Sequence, residues 1–151
     1  MTVPLTLLRM TPLSGYTGPE LTPYSARGLN QTLDLIPDSS KQIRRDVRGK
    51  LMNLAYSQFR KYQSVITCTD AQAPAFDEAW RGIIVEVECA KELGYRTHGG
   101  TPQRPEVSGS SREEGDFTYY RPLLTMMVVD VHNSLEEWRA NDRWQIDLLE
   151  V

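Results

Sequence analysis

An all-β fold, a single antiparallel sandwich or barrel of about seven strands, is predicted from three observations on this 151-residue chain. Short runs alternate apolar and polar residues, the period of a half-buried strand. Clusters of Gly, Pro, Asp and Ser separate those runs. Almost nothing between them reads as helix. Length and composition suit one globular domain, with 40% hydrophobic and 25% charged residues.

The N-terminal part, residues 1–27, carries Pro4, Pro12, Pro19 and Pro23 with Gly15 and Gly18. Proline at that spacing denies both helix and central strand. The same stretch holds Leu5, Leu7, Leu8, Leu13, Tyr16, Leu21 and Tyr24, apolar content that a disordered tail lacks. It reads as an extended arm that lies on a surface, either that of its own core or that of a neighbouring subunit. The β-domain is expected over residues 28–151.

Leu29 to Ile36 is the first expected strand of that domain, closed by the turn residues Pro37, Asp38, Ser39 and Ser40. Ile43 to Val47 and Lys50 to Leu54 form an expected hairpin around Arg48-Gly49, with Gly49 supplying a positive φ. Tyr56 to Phe59 reads as a connector of about one helical turn. Lys61 to Asp70 is β-branched and alternating, with Tyr62, Ser64, Ile66 and Cys68 on one face. A loop with Phe76 and Trp80 as anchors leads to Gly82–Cys89, where Ile83, Val85, Val87 and Cys89 face inward and Ile84, Glu86 and Glu88 outward. Such alternation solvates one face, as in antiparallel sheets.

Residues 95–116 have no periodicity and read as a long loop, ordered through hydrogen bonds with a partner. Phe117 to Val131 is a long strand interrupted by Pro122, hence an edge or a bulge there. Ser134-Leu135-Glu136-Glu137 matches a capping box and predicts a short helix through Trp138. Trp144, Ile146 and Leu148 alternate with polar residues in a final strand.

Few function classes survive this composition. The net charge of −3 offers no general attraction for nucleic acid. The basic run Lys41, Arg44, Arg45, Arg48 and Lys50 lacks the interleaved aromatics that stack bases, so nucleic-acid contact is not expected. No apolar run reaches membrane-spanning length, and no membrane contact is expected. Cys68 and Cys89 form no CxxC pair and read as buried hydrophobes made in a reducing cytoplasm.

His98 and His132 have no second ligand at structural-zinc spacing, so neither metal nor cofactor is expected. The Gly109–Glu113 stretch does not fit a nucleophile elbow, and Gly99-Gly100 lacks the helix and lysine of a phosphate loop. Glu86 and Glu88 share a strand face, a pattern that any half-solvated strand produces. Trp80, Trp138 and Trp144 with Tyr119 and Tyr120 are candidates for a sugar platform. No catalytic residue is assigned, and the chain is expected not to be an enzyme.

The stretch Arg44-Arg45-Asp46-Val47-Arg48-Gly49-Lys50-Leu51, then Phe59-Arg60-Lys61-Tyr62, then Ile66-Thr67-Cys68-Thr69-Asp70 with Ala73-Pro74, resembles small structural proteins of tailed bacteriophages. The close of the chain, Tyr120-Arg121-Pro122-Leu123-Leu124-Thr125-Met126 and Trp144 to Val151, is similar to the close of the same proteins. The resemblance spans roughly residues 43 to 151 and leaves the arm uncovered. It implies a location in the virion and no reaction. The resulting expectation is a tail or head–tail subunit that assembles as a homo-oligomeric ring, with copies of itself and other virion proteins as partners. The alternatives are a capsid decoration protein and a carbohydrate-binding adsorption module. The residues expected at subunit contacts are Leu5, Leu7, Leu8 and Tyr16 of the arm, Arg44, Arg45 and Arg48 of the hairpin, and Arg104 of the loop.

Overall fold

A computed structural model describes residues 8–13, 15, 29–36, 43–54, 60–70, 79–138 and 141–151. Leu5, Leu7, Tyr16, the expected turn at residues 37–40, the connector at residues 56–59 and the anchor Phe76 lie outside them. The strands are β1 (Arg9–Pro12), β2 (Asn30–Leu35), β3 (Ile43–Arg45), β4 (Leu51–Asn53), β5 (Tyr62–Asp70), β6 (Ile84–Glu88), β7 (Leu93–Arg96), β8 (Arg112–Glu114), β9 (Phe117–Tyr120), β10 (Leu123–Glu136) and β11 (Asn141–Glu150). No helix forms among the described residues.

The main sheet has six strands in the order β1-β6-β10-β11-β5-β2, every neighbouring pair antiparallel. A two-stranded β3-β4 sheet and a three-stranded β7-β9-β8 sheet accompany it. The all-β class and the antiparallel pairing hold, but the main sheet is not closed into a barrel.

Period-two alternation sends one set of side chains to the inner face. Met10, Val85, Val87, Leu124, Met126, Val128, Trp144, Ile146, Leu148, Ile66 and Cys68 pack there as one core, joined by Leu8 and Cys89. The sheet coils around this core. Gln31 on the edge strand β2 accepts hydrogen bonds at Oε1 from the Ala90 N–H (2.8 Å) and the Lys91 N–H (3.4 Å), just beyond β6. Strands β5, β11 and β10 lie between β2 and β6 in the sheet order. A side chain reaches across that gap only if the inner face is strongly concave.

Four expectations are refined or corrected. First, part of the arm lies on its own core, one of the two surfaces expected for it: β1 is an edge strand with Leu8 and Met10 fully buried, and Pro12 ends it where a missing N–H is tolerated. Second, Ser134–Glu136 continue β10 rather than starting a helix, because β11 offers a complete partner ladder opposite them. Third, Trp80 is no anchor; it is 72% exposed. Fourth, the loop near residues 95–116 is tied to its own chain. Its ends enter β7 and β8, Glu106 bridges Pro122, the Val107 N–H donates to the Arg121 carbonyl (2.9 Å), and Val107 is buried.

Pro122 is a corner. Tyr120 of β9 pairs with Leu93 of β7 in the small sheet, whereas Leu123 of β10 pairs with Glu88 of β6 in the main one. One ribbon, β6–β7 against β9–β10, therefore runs through both sheets and bends where proline interrupts the ladder.

Candidate interaction surfaces and an Asp–His–Asp cluster

The β3–β4 hairpin pairs with no other described strand. Its turn is built as the sequence dictates. The Gly49 N–H donates to the Asp46 carbonyl (3.0 Å) and Gly49 takes φ 81°, the left-handed residue of a three-residue hairpin loop. The Asp46 carboxylate accepts from the Arg48 and Lys50 N–H groups (2.8 and 2.9 Å), and Arg45 Nη1 donates to the Gly49 carbonyl (2.9 Å). The turn is thus self-contained, yet Ile43, Val47, Leu51, Met52 and Leu54 are all exposed. Arg44, Arg45, Arg48 and Lys50, opposed only by Asp46, make the hairpin basic as well as apolar. The expected contact residues Arg44, Arg45 and Arg48 all stand on this exposed element.

A second projection is the β10–β11 tip. β6 pairs with β10 only over Leu123–Met127, so the later part of β10 has β11 as its ladder partner. Leu135 and Trp138 stand out from it, Trp138 at 98% exposure, beside Glu136 and Glu137.

Of the other expected contact residues, Leu8 and Arg104 are engaged within the chain, and Leu5, Leu7 and Tyr16 lie outside the described residues. Leu8 is core. Arg104 forms a two-pronged ion pair with Glu150, Nε to Oε1 at 2.6 Å and Nη2 to Oε2 at 3.1 Å. It also donates from Nη2 to the Arg60 carbonyl (2.7 Å) and from Nη1 to the Gln103 carbonyl (3.0 Å), and its guanidinium lies over the Tyr62 ring. The side chains of this pair are only 18% and 9% exposed. Glu150 Oε2 accepts the Tyr62 N–H as well (2.9 Å). Arg104 thus locks the long loop to the end of the main sheet.

The candidate sugar-platform aromatics separate: Trp144 and Tyr120 are buried, while Trp80 and Trp138 are exposed. Glu86 faces Thr11 and Thr125 across the sheet, and Glu88 faces Arg9 and Leu123, so no carboxylate pairs with either across the ladder. Burial pushes the Cys89 thiol up to about 11, against hydrogen bonding from Gln31 that favours the thiolate.

One cluster is only partly legible in the sequence. Asp130, His132 and Asp147 each place a ligand atom within 4.8 Å of the others. His132 Nε2 lies 3.1 Å from Asp130 Oδ2. Arg81 donates from Nη2 to Asp130 Oδ1 (3.1 Å) and, with lesser help from the Val131 N–H and His132, holds that carboxyl below its ordinary range. The alternation Asp130-x-His132 was the available signal; Asp147 joins only through strand pairing.

No family model matches this chain, and neither a curated protein nor a solved structure is significantly similar to it.

Proposed function

We propose that this chain is a non-enzymatic structural subunit of a tailed-phage virion, in the tail or its head–tail attachment region, that assembles with copies of itself into a ring. The observation that carries the assembly reading is the β3–β4 hairpin, which exposes five large apolar side chains, Ile43, Val47, Leu51, Met52 and Leu54, beside its arginines. Apolar projections rimmed by charge mark interaction sites on soluble proteins. The second projection, with Leu135 and Trp138, is a different surface. Two unlike surfaces meeting head to tail give rings or filaments rather than two-fold dimers. The virion location rests on the sequence resemblance described above.

The assembly is tested by light scattering on the full chain beside a Val47→Asp/Leu51→Asp variant. The expected result is an oligomer that becomes a folded monomer in the variant. A wild-type chain that is monomeric at high micromolar concentration, or an oligomer indifferent to the substitutions, removes the hairpin as the assembly element. Antibodies against the chain should label tails in purified virions; labelling that scales with capsomers would instead support the decoration protein. The adsorption-module reading is favoured by the exposed Trp80 and Trp138. It requires their fluorescence to change across a glycan panel, and a flat response removes it.

A further inference from the structure

The Asp130, His132 and Asp147 cluster owes its existence to an irregularity in β10. Before it, Val128 pairs with Leu148; after it, Asp130 pairs with Asp147 and His132 with Gln145. Continued in unbroken register past Val128, the ladder would set Val129 against Asp147 and turn Asp130 and His132 toward the core. The bulge moves both to the outer face and brings Val131 against the core. Bulges commonly re-aim side chains in this way.

The result is two carboxylates directly opposite each other on neighbouring strands, a repulsive arrangement. A positive charge between them removes that repulsion. The 3.1 Å between His132 Nε2 and Asp130 Oδ2 is close to the spacing of two adjacent ligands on one ion with bonds of about 2.1 Å. Each carboxylate is also held from outside the cluster. Asp130 Oδ1 accepts from Arg81 Nη2 (3.1 Å) and from the Val131 N–H (3.0 Å). Asp147 Oδ1 accepts from Gln145 Nε2 (2.9 Å). Outer partners of this kind orient metal-binding carboxylates.

We infer that Asp130, His132 and Asp147 form a site for a divalent transition-metal ion of the zinc class. One imidazole with two carboxylates selects such ions over magnesium and calcium, which prefer oxygen alone. Three protein ligands leave coordination positions for water on this outer face. Arg81, bound to Asp130 through Oδ1 and to the Val129 carbonyl through Nε (3.0 Å), leaves Asp130 Oδ2 facing His132 as the ligand atom.

The test is equilibrium dialysis of the purified full chain against Zn²⁺, with bound metal counted by elemental analysis. The expected result is saturable binding of one ion per chain that excess Mg²⁺ does not displace. His132→Ala and Asp147→Asn should each weaken binding at least tenfold, and His98→Ala should leave it unchanged. Absence of saturable binding overturns the site, as does binding that survives both substitutions or that is lost equally in His98→Ala. With Co²⁺ as probe, an intense near-ultraviolet sulfur-to-metal band would assign the ion to Cys68 or Cys89 and equally overturn it. Should Asp147→Asn fail to fold, the exposed His132 decides through its alanine variant alone.

Discussion

Arg104 shows how far a single residue can be read from sequence. Its place in a polar loop marked it as a contact residue, but its partner Glu150 lies 46 positions away. Nothing local announces that pairing. Arg104→Ala should leave the nearly buried Glu150 carboxylate without its cation and lower stability by about 3 kcal/mol. Arg104→Lys should recover only part of this, because an ammonium cannot reproduce the two-pronged fork. Urea unfolding of both variants checks the order. The inward phase of Cys89 on its strand marks it as a buried small hydrophobe, and it is one. Its thiol, near 9.0 when exposed, stays protonated to about 11 in the fold. The unfolded chain therefore loses this proton first as pH rises. The contribution is complete below pH 9 and lost between 9 and 11, by about 3 kcal/mol in all. Denaturation midpoints at pH 8 and 10.5 should separate accordingly, and Cys89→Ala should remove that part of the difference.

At the scale of elements, local signals succeeded where the backbone had one way to satisfy itself. Gly49 closes its hairpin and Pro122 breaks its strand because φ and a missing N–H act without reference to the rest of the chain. They failed where distant strands decided. The capping box at Ser134 is intact in sequence, yet Ser134, Leu135 and Glu136 pair with Arg143, Asp142 and Asn141, and the ladder outweighs a marginal helix. The edge strand Arg9–Pro12 likewise depends on a distant partner: Met10 pairs with Val87, and the sequence alone leaves open whether the arm lies on its own core or on a neighbour. Leu8→Ala and Met10→Ala should each cost about 2–5 kcal/mol, as buried side chains do. Deleting residues 1–27 should consequently lower the thermal midpoint and not merely weaken association, which calorimetry on the truncated chain would show. The Asp130–His132–Asp147 cluster is the extreme case, since a bulge that periodicity cannot locate creates it.

For the whole molecule, the sheet is held by pairings far apart in sequence, such as Leu149 with Gln63 and Met10 with Val87. Loops of that span must close before their contacts stabilise anything, so folding should take milliseconds to seconds. Stopped-flow fluorescence, with buried Trp144 as a reporter, measures it; a microsecond phase of full amplitude would contradict this topology. The placement of β11 has a further consequence for how the protein comes into being. The last strand in chain order sits between β10 and β5, in the middle of the sheet. During synthesis β2 and β5 can pair early, and β1, β6 and β10 can pair soon after, but these two halves have no seam in common until residues 141–150 have emerged. The growing chain thus carries two open half-sheets at once, and the final ten-residue strand joins them like the closing tooth of a zip.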